Sequence, residues 1–264
     1  MLWCSIQAIR AVKSAMVMQA LRKGWPHSRL CFGDPPDDGV AFAIYGQTWG
    51  AERVIPPALK TARPFWQIDN GFWKPGRGRP DGYYRFCYRG LSPVFLPNAS
   101  VPRARNIRTP AMAPWRKNGT HVLLAMPGGD FGTAIGLSMN AWEQTIRARV
   151  REYTDRPIVV RDRGTKTTLD AHLADCWALV THSSNVAVEA VHAGVPVFVE
   201  PTSAAVPVGN LDLAMIEQPA MPDCRDGWWA SLMSQQFTPA EMASGLAYKT
   251  LGAVVAQVDG KVAA

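Results

Sequence analysis

Asp175-Cys-Trp-Ala-Leu-Val-Thr-His-Ser-Ser-Asn185-Val-Ala-Val-Glu189-Ala-Val-His-Ala-Gly194-Val-Pro-Val-Phe-Val-Glu-Pro201 is the stretch whose reading decides the fold. A short apolar run gives way to a turn of small polar residues. Ala and Val then recur at helical spacing, Gly194 stops the helix, and a second apolar run follows. This is the pattern of one βαβ unit, in which two parallel strands are joined by a right-handed helical crossover.

The turn carries the chemistry. Ser183, Ser184 and Asn185 are predicted where a strand's carboxyl end meets a helix N-terminus, and free backbone N–H groups with the helix dipole attract phosphate there. Glu189 falls one helical turn further on, placed to accept hydrogen bonds from ribose hydroxyls. The same residues also have a plainer reading. Any parallel α/β domain needs helix caps, Ser and Asn are common ones, and Gly before Val-Pro-Val is ordinary punctuation between helix and strand.

Working outward, residues 121–126 read as a strand, 127–132 as a Gly-rich turn, 138–153 as a helix capped by Ser or Asn, 157–161 as a strand and 167–174 as a short helix. Three successive βα steps predict a parallel, Rossmann-like sheet. Arg161, Arg163 and Lys166 follow directly on a strand, at the same edge as the Ser183 turn. Cations there suit a phosphate leaving group, although an exposed loop could equally keep them solvated. The turn around Gly128 lets a ligand approach the backbone, and plain loop flexibility explains it as well.

Toward the front, residues 40–45 are a buried strand, 46–50 a turn, 51–62 a helix and 65–69 a strand that delivers Asp69 at its exit. Asp69 is a candidate general base; in Asp-Asn-Gly it is also a candidate Asx-turn residue. Residues 74–118 have little periodicity and read as a long irregular segment or a few short strands, ending in an interdomain linker near 110–119. The first 33 residues contain no acid, and residues 6–22 read as a basic amphipathic helix, either packed on the domain or lying on a membrane surface. At the other end, Thr238-Pro-Ala-Glu241 has the form of a capping box opening a helix.

The run Thr-His-Ser-Ser-Asn-Val-Ala-Val-Glu-Ala-Val-His-Ala-Gly-Val-Pro-Val resembles the nucleotide-sugar half of GT-B glycosyltransferases, particularly the Kdo-transferase and capsule-synthesis relatives and small glycosyltransferase-like proteins of bacteriophages. The likeness spans about residues 120–201. It implies two Rossmann-like parallel-sheet domains: an abbreviated, basic N-terminal acceptor domain over 1–115, lacking the usual opening strand, and a donor domain over 116–264 with C-terminal helices, the last of which often crosses back. It also implies a metal-independent transfer from a nucleotide-sugar co-substrate. Ser183, Ser184 and Asn185 become phosphate ligands and Glu189 the ribose contact, with Arg161, Arg163, Lys166 and Gly128 lining the donor and Asp69 or His182 handling the proton.

Composition sets the outer bounds. The 264 residues are 47% hydrophobic and 19% charged, as in ordinary globular proteins. No run approaches the ~18–20 apolar residues of a membrane span. Five scattered cysteines predict reduced thiols in a cytoplasm rather than a disulfide framework, and the five histidines show no metal-type spacing. The net charge is +7, and between Lys60 and Lys117 twelve Lys and Arg face only Asp69 and Asp81, with aromatics among them. Such a stretch suits a polyanion such as DNA, an acidic glycan or a phosphorylated acceptor, or is a basic surface that binds nothing in particular; together with the bacteriophage resemblance it implies a DNA base bearing a hydroxyl, with an acidic glycan next. A GT-B-like scaffold that binds nucleotide or polyanion without catalysis is the rival class, and it too fits a short first domain.

Overall fold

The computed structural model describes residues 1–7, 11–47, 50–97, 101–128, 138–162 and 164–262. They form two compact units, Met1–Arg108 with Trp229–Ala264, and Thr109–Trp228.

The first unit runs β1 (Leu2–Ile6), α1 (Ala11–Gly24), β2 (Ser28–Phe32), β3 (Ala41–Tyr45), α2 (Ala51–Lys60), β4 (Phe65–Asn70), β5 (Tyr84–Tyr88) and α3 (Val101–Asn106). The chain returns to this unit in β10 (Gln236–Phe237), α8 (Pro239–Ala243) and α9 (Leu246–Val262). The sheet order is β10-β5-β4-β3-β1-β2. Strands β2, β1, β3 and β4 are parallel, with Leu2 opposite both Ser28 and Ala41, and β5 and β10 close the sheet antiparallel.

Both faces of this sheet are covered, which is why its strands read as near-continuous apolar runs. Leu2, Cys4, Ala43 and Trp66 pack with Val17, Met18 and Leu21 of α1 and with Ala247, Leu251 and Val254 of α9. On the other face Phe42, Ile44 and Phe65 pack with Ala51, Ile55 and Ala58 of α2.

The second unit runs β6 (His121–Ala125), α4 (Met139–Arg151), β7 (Ile158–Arg161), α5 (Leu169–Leu173), β8 (Cys176–Val180), α6 (Val186–His192) and β9 (Val197–Phe198), in the all-parallel order β7-β6-β8-β9. Ser138 caps α4 by accepting the Ala141 N–H at 3.4 Å. The apolar stripe of α4, Trp142, Ile146 and Val150, joins Val122, Leu124, Ala178, Val180 and Phe198 in one core. Along the chain, α7 (Arg225–Ser234) spans the boundary between the units. Among the described residues no helix is long and apolar enough to cross a membrane.

The expected absence of an opening strand is corrected: the strand is present as β1, and Ile6, where periodicity starts the helix, closes it. Of the two readings of 74–118, the short-strand one holds at β5, whose Tyr-Arg-Phe-Cys-Tyr is buried throughout, with Arg85 paired to Asp69. From residue 229 onward the chain groups with the first unit, and apolar side chains of α8 and α9 complete its core.

Candidate functional site

In the second unit the chain goes from β6 outward to β7 and then crosses to β8 on the other side of β6. Connections from the carboxyl ends of β6 and β8 thus depart in opposite directions. That switch point is where open α/β sheets leave a ligand-sized crevice. Below it, Thr181 Oγ1 donates to the Ala125 carbonyl at 2.6 Å and the Met126 N–H to the Arg161 carbonyl at 2.8 Å, clasping three strand ends together.

The walls of the crevice come from two loops. Pro127 and half-buried Gly128 leave β6; the rest of that turn lies outside the described residues. From β8 come half-buried His182, Ser183 and Ser184 and exposed Asn185. Carbonyls of Ser184 and Asn185 accept the N–H groups of Ala187 and Val188, each at 3.0 Å, and Ser184 Oγ accepts the Val186 N–H at 3.4 Å. Asn185 occupies the N-cap position in the right-handed helical region, and its side chain makes no capping bond. Because α6 is only seven residues long, the hydroxyls and the turn count for more here than a helix dipole. Glu189, exposed, stands one turn into α6.

His182 Nδ1 is 3.2 Å from Ser183 Oγ, and its ring centroid is 6.3 Å from that of Trp142. Burial pushes its pKa below the usual histidine value, while the charge of Glu200 pulls the other way. Arg161 ends β7 half-buried, with Nη1 donating to the Thr167 carbonyl at 2.5 Å. Asp162 stiffens that loop by accepting the Gly164 N–H and the Thr165 hydroxyl, each at 2.9 Å, and the hydroxyl bond leads in holding its carboxyl below the ordinary range. Lys166 is exposed on the same loop, and Arg163 lies outside the described residues. The sequence reasoning missed Thr181 and Glu200, although both directly follow apolar strands at the edge already singled out.

Asp69 lies elsewhere, at the carboxyl end of β4 in the first unit. Its Oδ2 meets Arg85 Nη2 at 3.2 Å, and its Oδ1 accepts the Asn70 N–H at 2.7 Å. The Asx-turn alternative is not realised, because the Gly71 N–H donates to the Tyr83 carbonyl at 2.8 Å instead. Part of the basic stretch around Asp69 is engaged by the fold. Arg63 donates to the carbonyls of Val40 and Pro36, Arg89 pairs with Asp259, Arg103 with Glu241, and Arg116 binds the last carbonyls of α5, at Leu173 and Ala174. Trp66, Tyr84, Phe86 and Tyr88 are core rather than stacking platforms. Lys74, Arg77 and Arg79 stay exposed on one loop, whose backbone holds Lys74 and Arg77 at φ 41° and 49°.

No family model and no curated protein matches the sequence. Among solved structures, the chain is similar to the β-Kdo 2,7 transferase KpsC of Thermosulfurimonas dismutans, at a TM-score of 0.54 and 11% identity over 94% of this chain and 99% of that one. It is also similar to the β-Kdo 2,4 transferase KpsC of the same organism, at a TM-score of 0.46 and 12% identity over 86% of this chain and 89% of that one. The chain therefore shares the fold of the KpsC β-Kdo 2,7 transferase, two Rossmann-like units of the GT-B kind, as the 175–201 run leads one to expect.

Proposed function

We propose that the protein is a glycosyltransferase that draws a sugar from a nucleotide-sugar held in the crevice between β6 and β8. The observation that carries this reading is the position of the His182-Ser183-Ser184-Asn185 turn, at the switch point of a parallel sheet, on the strand next to the one that Gly128 follows. In this reading the Ser183 and Ser184 hydroxyls and the Asn185 amide bind donor phosphate, and Glu189 holds the ribose. Arg161, Arg163 and Lys166 offset the charge that builds on the leaving group without a metal. His182 donates a hydrogen bond or a proton at the phosphate, and Asp69 takes the proton from the acceptor hydroxyl. The exposed Lys74, Arg77 and Arg79 draw a polyanionic acceptor, an acidic glycan or DNA with a hydroxyl-bearing base.

The rival reading, a binding scaffold without turnover, is favoured by one observation: the Asp69 carboxylate is already engaged by Arg85 and Asn70. Both readings meet in one experiment, a thermal-shift screen with UDP-, GDP-, ADP- and CMP-sugars on the native protein, Glu189→Ala and Arg161→Ala. A ligand at a hundred times its dissociation constant adds about 2.7 kcal/mol. A shift with one nucleotide class that Glu189→Ala abolishes, accompanied by sugar release, supports the transferase. A shift without any transfer moves the conclusion to the scaffold, and no shift with any nucleotide overturns the donor site.

A further inference from the structure

Residues Gly76 to Arg79 close a tight turn in the first unit. The Arg79 N–H donates to the Gly76 carbonyl at 2.7 Å, and the corner residues Arg77 and Gly78 both lie in the left-handed region, at φ 49° and 89°. Asn-Gly suits such corners, and arginine is a costly choice for the first of them. The loop is nonetheless fixed. The Arg77 N–H donates to Asn70 Oδ1 at 2.6 Å, the Gly78 N–H to the Tyr84 hydroxyl at 3.1 Å and the Gly76 N–H to the Tyr83 carbonyl at 2.8 Å. These backbone donors are spent inside the loop, so what it offers outward is side-chain charge.

Helix α1 brings a further cation to the same place. A Cβ on Gly78 would lie 2.8 Å from Lys13 Cε, so the Lys13 stem crosses the corner that Arg77 and Arg79 flank. Lys13 stands in the first turn of α1, which holds no acid and where the helix dipole disfavours a cation. Elsewhere in this unit Arg63, Arg85, Arg89 and Arg103 each meet an acid. Lys13 and Arg77 make no ion pair among the described residues, and Arg79 comes only within 3.9 Å of exposed Asp81.

We propose that Lys13, Arg77 and Arg79, gathered around Gly78, form a binding site for a phosphate monoester. This narrows the acceptor reading above and rests on it for the ligand's role. Cations held together by a rigid turn and a helix repel one another until an anion sits among them. Arginine forks match pairs of phosphate oxygens, and the lysine adds a point charge. The grouping is compact, which suits a single dianion. A nucleic-acid strand instead wants a run of cations with open aromatic rings beside them, and the Tyr84 ring against Gly76 is fully buried.

The test is an NMR titration of protein carrying isotope-labelled glycine, following the Gly76 and Gly78 signals. The probes are inorganic phosphate, glycerol phosphate, glucuronate and an oligothymidylate. The native protein is compared with Lys13→Gln, Arg77→Asn and, as a charge control on α2, Lys60→Gln, whose lysine is exposed. Both phosphates are expected to move the two signals, binding about three- to tenfold more weakly in Lys13→Gln and Arg77→Asn and equally well in Lys60→Gln. Arg77→Asn is also expected to melt no lower than the native protein, because asparagine suits the left-handed corner, so binding lost there is not structure lost. Signals that neither phosphate moves, or that Lys60→Gln weakens as much, overturn the site. Glucuronate binding as tightly as the phosphates overturns the choice of a phosphate. Oligothymidylate binding through these residues while glycerol phosphate fails overturns this proposal and leaves the polyanionic acceptor standing; if no probe binds, that acceptor reading falls as well.

Discussion

Gly194 ends α6 at φ +79°, a conformation that costs other residues free energy, and a Cβ there would lie 2.1 Å from the Pro114 carbonyl oxygen. Backbone bonds from the Ala113 N–H to the His192 carbonyl and from the Arg116 N–H to the Gly194 carbonyl depend on that close approach. Gly194→Ala is expected to lower stability by about 2 kcal/mol or more, read from urea melts. Thr181→Val should cost about 1–3 kcal/mol by leaving the buried Ala125 carbonyl without its 2.6 Å donor. It should also weaken nucleotide binding, because the clasp lies directly under the crevice. At this scale the sequence marked the Ser183 turn and Gly194 well, since small polar residues and glycine carry local signals. Thr181 and Glu200 were not marked, because their partners, Ala125 and His182, stand on other strands and only pairing brings them together.

Among the elements, α8 is the one whose start was most fully written in the sequence. Thr238 Oγ1 accepts the Glu241 N–H at 3.2 Å, and Glu241 Oε2 accepts the Thr238 N–H at 2.9 Å. Arg103 adds a 2.9 Å ion pair to Glu241 and lies 4.2 Å from the centroid of the Phe237 ring. Burial tends to raise the Glu241 pKa, but the bonds from Arg103 and Thr238 outweigh it and hold the carboxyl below its ordinary value. Thr238→Ala is expected to cost about 1 kcal/mol, measured by chemical denaturation, and to release hydrogen-exchange protection first in α8. Strand β5, the partner of β4, was legible only as one of the few short strands that residues 74–118 allowed. Its alternating aromatics favour a strand, yet Arg, Pro and Gly crowd both sides, and only the Asp69 carboxylate makes a buried Arg85 acceptable.

For the whole molecule, acid and alkaline limits follow from groups that the fold holds away from their usual ionisation. Burial, with smaller help from Arg161 and His121, lowers the pKa of His172, and burial lowers that of His182 despite Glu200. The unfolded chain thus binds their protons first, so this stability is present above the ordinary histidine value of 6.5 and is lost as pH falls through it. Glu217, held low chiefly by Arg156, and Glu241 extend the loss at lower pH. On the alkaline side, burial pushes the Cys4, Cys87 and Cys176 thiols up to about 12, so their contribution is lost as pH rises past the usual 9.0. Urea midpoints across the pH range should show a plateau between these limits, and His172→Gln combined with His182→Gln should flatten its acid shoulder. Leu251→Ala, at a fully buried site of the first unit, should cost about 2–5 kcal/mol. Exchange protection should fall in β1–β5 while β6–β9 keep theirs.

The sequence by itself determined the second unit almost strand by strand, with the crossovers of a parallel sheet, the polar turn after β8 and the Ser138 cap, and in the first unit the capping box at Thr238. These are local patterns, set by side-chain period and by backbone conformations that few residues tolerate. The tertiary structure alone decided that the first strand exists and that Asp69 is matched by Arg85. It also decided that Arg63, Arg89 and Arg103 of the basic stretch serve as internal ties and that the Glu200 N–H meets the His182 carbonyl. Each of these depends on partners distant in sequence, because burial and charge pairing are settled by whatever the folded chain brings alongside, and no local pattern records that neighbour.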